Sequence, residues 1–388
     1  MYIAQAFKGF HDWWRYIIGT VAIVAAVVIG QIPFTVAVFV KAFSEGGSVM
    51  GMNEADLMGM LESNLNLFLM LLSFAGGLVG VFLVVKYLHK QSITELTTAR
   101  KKIDWNRFWF AFILWGVIAT SFIFLDYYSS PENYVLNFKL VPFLILCMIA
   151  IVLIPIQTSF EEYLFRGYFM QGLGIATIQN KFPFIFIFSI ASILIYFYLD
   201  YVFVFSSILK SAYYIFMPLL LIWLTSSNLF KNIVISKPNS LLYKVLNRNS
   251  TPLLITSLVF GLLHIANPEV AQLGYVVMVY YIGTGLFLGV MTLMDDGLEL
   301  ALGFHAANNL FTALLVTADW TAFQTHSVFK DTSLPEAAGF MDVFMPVFIV
   351  FPILLYIFSR KYKWNNWQQK LFGTVKEPAN ESTNSINE

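Results

Sequence analysis

Three short motifs carry the ionisable chemistry of this chain: Glu161-Glu162-x-x-x-Arg166, Phe260-x-x-x-His264 and His305-x-x-x-Asn309. Residues four apart share a helical face, so Glu162 can pair with Arg166 while Glu161, about 100° away, stays free for chemistry. His305 and Asn309 share a face by the same rule, as do Phe260 and His264. Asn308, three from His305, lies near that face as well, and spacing leaves the choice between the two asparagines open. A buried carboxylate beside a cation can be poised to take a proton from water, and a neighbouring imidazole can orient that water. A second imidazole and a carboxamide donate the hydrogen bonds that stabilise an oxyanion at an attacked carbonyl. The set is complete for water-driven acyl hydrolysis, and it needs no serine or cysteine nucleophile. Zinc is the competing chemistry: Glu161, His264 and His305 make a His₂Glu ligand set with a position open for water, although the His-Glu-x-x-His spacing is absent.

The elements that must position these residues are apolar. Of 388 residues 58% are hydrophobic and only 12% charged, half the charged share of about 25% in a soluble domain, which places the chain in the membrane class. A charged side chain at the centre of a membrane helix costs roughly 2.5–3.5 kcal/mol, so it is tolerated where it faces a protein interior or a wet cavity and reads as a functional site. The net charge of zero provides no basic excess for nucleic acid. The single cysteine, Cys147, precludes an intrachain disulfide. The first apolar run, 17–40, is longer than the core of a cleavable signal peptide.

About 20 apolar residues cross a bilayer as a helix. On that scale the sequence predicts an all-α polytopic bundle of about ten spans: 17–40, 65–88, 108–125, 141–168, 183–205, 212–230, 252–266, 275–294, 298–316 and 340–359. The fourth is too long for one straight crossing and contains Pro155, which predicts a kink or a late start. With the N terminus cytoplasmic, only Lys41, Lys139, Lys210 and Lys330 of the 23 Lys and Arg fall outside, a steep positive-inside bias. Both termini are then cytoplasmic, in a bacterial inner membrane. The inner turn Asp295-Asp296-Gly297 has no basic residue of its own. Trp13, Trp14 and Tyr16 form an interfacial belt ahead of the first span. The expected organisation is one transmembrane domain, 1–372, and a disordered polar tail, 373–388, whose Asn380-Glu381-Ser382 sequon stays unmodified in the cytoplasm.

In this order, the three motifs resemble the CPBP family of intramembrane endopeptidases, which includes the type II CAAX prenyl proteases and the Abi-type bacterial proteins. The likeness covers 141–315, with each motif in a separate span. The resemblance implies an eight-helix-like core and a glutamate-dependent peptidase without a cofactor. Glu161 would activate water with His264 as its partner, and His305 and Asn309 would form the oxyanion hole. Glu162, Arg166 and Phe260 would support them. The substrate would be a membrane-embedded or lipidated peptide, entering from lipid or the inner face. The chain departs from the family's short connection between the first and second motifs: 175–251 intervenes, read as an inserted helical hairpin that leaves the downstream orientation intact.

Plainer readings stand beside these. The Glu161/Glu162/Arg166 cluster alone could be an ion pair anchoring a helix end, and His264 or His305 with Asn309 could be interhelical glue. Gly76-x-x-x-Gly80 and Gly285-x-x-x-Gly289 permit close helix packing. Asp200 reads as interfacial, and His11, His89 and His326 fall in loops or interfaces without an assigned role. A silent scaffold or immunity protein of the same fold, or a transporter with an ionisable relay, are the other function classes. The intact constellation opposes the first, and the lack of an inverted repeat opposes the second. Depth leaves a tension: His264 lies about 12 residues into its span, or about 18 Å, and His305 only about 7.

Overall fold

A computed structural model describes residues 1–46, 59–175, 207–226, 244–245, 247–333 and 340–375. The architecture is the expected all-α helical bundle. Its helices are α1 (Trp13–Ser44), α2 (Ser63–Leu83), α3 (Ile93–Thr97), α4 (Trp105–Ser129), α5 (Leu140–Glu162), α6 (Met170–Ile175) and α7 (Ser207–Ser226). They continue with α8 (Ser250–Leu262), α9 (Pro268–Leu273), α10 (Met278–Asp295), α11 (Glu299–Leu315), α12 (Phe340–Met345), α13 (Phe351–Tyr362) and α14 (Trp367–Phe372). π-Helical turns extend α2 through Val84–Leu88, join α5 to α6 through Tyr163–Phe169, and join α12 to α13 through Pro346–Val350.

Six helical segments among the described residues are long and apolar enough to cross a membrane: Trp13–Ser44, Ser63–Leu88, Trp105–Ser129, Leu140–Ile175, Tyr275–Asp295 and Val343–Tyr362. They coincide with six of the ten predicted spans. Two of the others are shorter than a full crossing: α8 has 13 residues and α11 has 17. The predicted 212–230 span overlaps α7, of 20 residues. The predicted 183–205 span, Asp200, most of the expected hairpin and the tail beyond residue 375 lie outside the described residues.

Helix α5 packs between α2 and α11, and α11 also packs along α4. Leu146, Ala150 and Ile154 of α5 are buried against Leu67 and Leu71 of α2 and Leu310 and Ala313 of α11, so one apolar stripe aligns the helices of the first and third motifs. On the far side of α11, Trp115, Phe287, Phe304, Phe351 and Phe358 form a second core. The small-residue motifs do what their spacing implies: a Cβ on Gly76 would meet the Ala26 carbonyl of α1 at 2.6 Å, and one on Gly285 the Ser257 carbonyl of α8 at 2.8 Å.

The two ends of the bundle differ. At one end three short strands, β1 (Tyr134–Leu136), β2 (Val316–Ala318) and β3 (Phe329–Asp331), form a sheet in the order β1-β3-β2, with β1 antiparallel and β2 parallel to β3. At the other, the Asp295-Asp296-Gly297 turn between α10 and α11 is held by cations from elsewhere. Arg100 donates to Glu299 Oε2 at 2.6 Å and to the Asp295 carbonyl at 2.7 Å, Arg107 pairs with Asp295, and Lys370 reaches Asp296 at 2.7 Å. These contacts fix the start of α11, and with it the height of His305.

Candidate active site

Glu161 and Glu162 end α5 where the chain enters its π-helical turn, an extra-residue distortion that re-aims side chains and is common at functional sites. Arg166, inside that turn, donates to Glu162 Oε1 at 2.9 Å and to the Gly285 carbonyl at 3.2 Å. Glu162 and Arg166 are wholly buried, whereas Glu161 keeps 9% exposure. Glu161 is the less deeply buried of the two carboxylates.

His305 stands between the two acids. Its Nδ1 lies 2.8 Å from Glu162 Oε1 and its Nε2 3.5 Å from Glu161 Oε2. A carboxylate on one ring nitrogen fixes the tautomer and orientation of the other. One oxygen of each glutamate and Arg166 Nε are buried without a hydrogen-bond partner among the described residues. The cluster thus has unused hydrogen-bonding capacity on the side where Glu161 meets His305.

Asn309 is joined to the acids through a residue that sequence reasoning passed over. Gln157, one turn before Glu161, donates to Glu161 Oε1 at 2.5 Å and accepts from Asn309 Nδ2 at 3.0 Å. The available signal was a glutamine four residues ahead of Glu161, on the same helical face. Asn308 accepts from Trp115 Nε1 at 3.0 Å and donates to Asn309 Oδ1 at 3.1 Å. The two asparagines of α11 thus differ: Asn309 faces α5, and Asn308, held by Trp115 of α4, braces it.

His264 occupies a separate flank. It lies two residues beyond the end of α8, in a turn, which accounts for the depth discrepancy in the sequence. Its Nδ1 is 2.7 Å from the Phe260 carbonyl, and its ring stacks on Tyr281 with centroids 4.5 Å apart. No hydrogen bond or ion pair joins it to Glu161. Phe260 connects the two flanks: its ring is 4.8 Å from His264 and 6.1 Å from His305, and the Arg166 guanidinium lies 4.2 Å from its centroid. An aromatic residue four before His264 is thus the wall between the imidazoles.

The three nominated metal ligands, Glu161, His264 and His305, do not form a metal-holding group; among the described residues no three His, Cys, Asp or Glu side chains do. Of the histidines without an assigned role, His89 is buried, with Nδ1 2.7 Å from the Phe10 carbonyl, and His326 pairs with Glu62 at 2.8 Å. Cys147 remains a free thiol.

Residues 239–311 match the family described as type II CAAX prenyl endopeptidase Rce1-like. That stretch contains the second and third motifs and begins after the first. An uncharacterized protein of Bacillus subtilis (strain 168), YyaK, is 23% identical over 311 residues, covering 80% of each chain. No solved structure matches the chain. The chain is an integral membrane helical bundle, and through its second and third motifs it is similar to the Rce1-like type II CAAX prenyl endopeptidases, as the three motifs together imply.

Proposed function

We propose that this protein is an intramembrane endopeptidase that hydrolyses a peptide bond with a water activated by Glu161. The observation that carries the reading is the placement of His305 between the two glutamates, beside a Glu161 carboxylate with an unused oxygen. Glu161, Glu162 and Arg166 alone would leave one net negative charge in a buried cluster. In the cycle, water gives a proton to Glu161 as its oxygen bonds to the carbonyl carbon, and Glu161 passes that proton to the departing amine as the C–N bond breaks.

The supporting roles follow from the contacts. Glu162 holds His305 in orientation, and Arg166 balances Glu162. Gln157 keeps the Glu161 carboxylate and the Asn309 amide in register. His305 and Asn309 donate to the developing oxyanion once substrate displaces their resting contacts, and His264 orients the water from the Phe260 side. This scheme uses no metal. The substrate is a membrane-embedded or lipidated peptide, and a prenylated CAAX peptide is the first choice given the family matched. Both termini face the cytoplasm of a bacterial inner membrane. Arg100, Arg107 and Lys370 lie together at the Asp295–Gly297 end of the bundle, opposite the sheet, which supports this orientation.

The test is hydrolysis in ¹⁸O-labelled water by purified protein in lipid nanodiscs. A farnesylated CAAX peptide and an unlipidated transmembrane peptide would be offered in parallel. Cleavage with one labelled oxygen in the new carboxylate, unaffected by a strong chelator, is expected. Loss of cleavage on chelation would replace the glutamate scheme with a metal one, and no cleavage of either peptide would overturn the assignment.

A further inference from the structure

The turn that carries His264 runs through Asn267 into α9, where an acid lies that the hydrolytic scheme does not use. Glu269 accepts the backbone N–H of Ala322 through Oε1 at 2.8 Å, joining the segment after the second motif to the loop after the third. Its Oε2 is buried and has no hydrogen-bond partner among the described residues. Trp320, two residues before Ala322, buries its indole Nε1 in the same unpartnered condition. Glu269 lies within electrostatic reach of His264 and of Tyr281, the ring on which His264 stacks. Asn267 Nδ2, 3.4 Å from the Tyr281 hydroxyl, ties the turn to α10.

One unpaired acceptor and one unpaired donor therefore lie on the two segments that the Glu269–Ala322 hydrogen bond joins, one of them the turn after His264. Buried polar groups are almost always hydrogen-bonded, and each exception needs a reason, a bound water, ion or ligand among them. A metal cation is the poorer occupant, because an indole N–H offers it no ligand and no metal-holding group exists among the described residues. A peptide unit offers the complement, one N–H and one C=O.

We propose that Glu269 and Trp320 form an anchoring subsite for the backbone of an extended substrate segment flanking the bond cleaved. Glu269 Oε2 accepts a substrate N–H, and Trp320 Nε1 donates to a substrate C=O. The subsite rests on the hydrolytic reading of Glu161 and specifies which part of the substrate is held beside His264: its main chain, independent of side-chain identity.

The experiment is an N-methyl scan of a fluorogenic farnesylated peptide with the full-length protein in nanodiscs. In the wild type, methylating one backbone nitrogen next to the scissile bond is expected to lower kcat/KM about tenfold. In Glu269→Ala the parent peptide falls by a similar factor, and that same N-methyl group costs nothing further. Trp320→Phe keeps the ring and the fold, and it raises KM several-fold with kcat retained. Equal N-methyl penalties in wild type and Glu269→Ala, with Trp320→Phe matching the wild type, would mean that only water serves these atoms and would overturn the subsite alone. Failure of the wild type to cleave any peptide would overturn the hydrolytic reading and the subsite with it.

Discussion

His305 Nδ1 and Glu162 Oε1 lie 2.8 Å apart, a buried contact between α11 and α5 that joins residues 143 positions apart in sequence. The same Glu162 oxygen accepts from Arg166. A single oxygen atom thus couples the ion pair of the first motif to the imidazole of the third.

Removing Glu162 leaves Arg166 buried and unpaired, a change that costs about 3–5 kcal/mol for ion pairs of this kind. Glu162→Ala is expected to lower the unfolding temperature sharply. The double variant Glu162→Leu with Arg166→Met recovers much of that stability, because apolar replacements of similar volume leave no charge unpaired. It does not recover turnover, since His305 has lost its orienting carboxylate. Thermal unfolding and peptide cleavage measured on the same preparations separate the two effects, and an active double variant would remove Glu162 from the chemistry.

Gln157 holds Glu161 and Asn309 at once, so Gln157→Leu deletes two contacts while keeping an α-helical side chain of similar size. Loss of a residue that orients reacting groups typically costs about 10–100-fold. The expected result is that decrease in kcat, with KM and unfolding temperature little changed. A fall in KM-dependent terms alone would point to a binding role instead.

Gly303, two residues before His305, packs against α4, where a Cβ would clash with the Phe108 carbonyl oxygen. Gly303→Ala must push the helices apart, at a cost of roughly 1–3 kcal/mol for overpacking. The shift carries His305 away from both glutamates. Lower stability is expected together with lower kcat, and unchanged values of both would show that α11 adjusts elsewhere.

His89 lies just beyond the π-helical turn that ends the second long helix, and burial pushes its imidazole down to about 4. The folded protein thus refuses a proton that the unfolded chain accepts below its ordinary value near 6.5. This contribution is fully present above that value and is lost as pH falls from there towards 4, amounting to up to roughly 3 kcal/mol. Unfolding temperatures measured across this window should fall in the wild type and fall less in His89→Gln. Parallel curves would assign the acid sensitivity to other groups.

The chemistry was more legible in the sequence than its supports. Charged and polar side chains stand out in apolar helices, and four-residue spacing forecast the Glu162–Arg166 pair, which persists across the π-helical turn. The turn itself was hidden, because nothing in Tyr163–Phe169 marks an extra backbone residue. Gln157 was overlooked because an uncharged amide in an apolar run reads as packing until its partners are known. His264 was assigned to a helix that stops at Leu262, since hydrophobic residues continue past the last helical turn. The three-residue strands of the sheet were too short to show a period.

The most direct measurement compares wild type with Glu161→Gln, purified in nanodiscs, on the same farnesylated peptide under single-turnover conditions. Glutamine keeps the shape and one acceptor but cannot take the proton from water. A decrease in the cleavage rate of at least about 10³-fold, with peptide binding and unfolding temperature preserved, is the expected result. Equal rates in the two proteins would contradict Glu161 as the base that activates water.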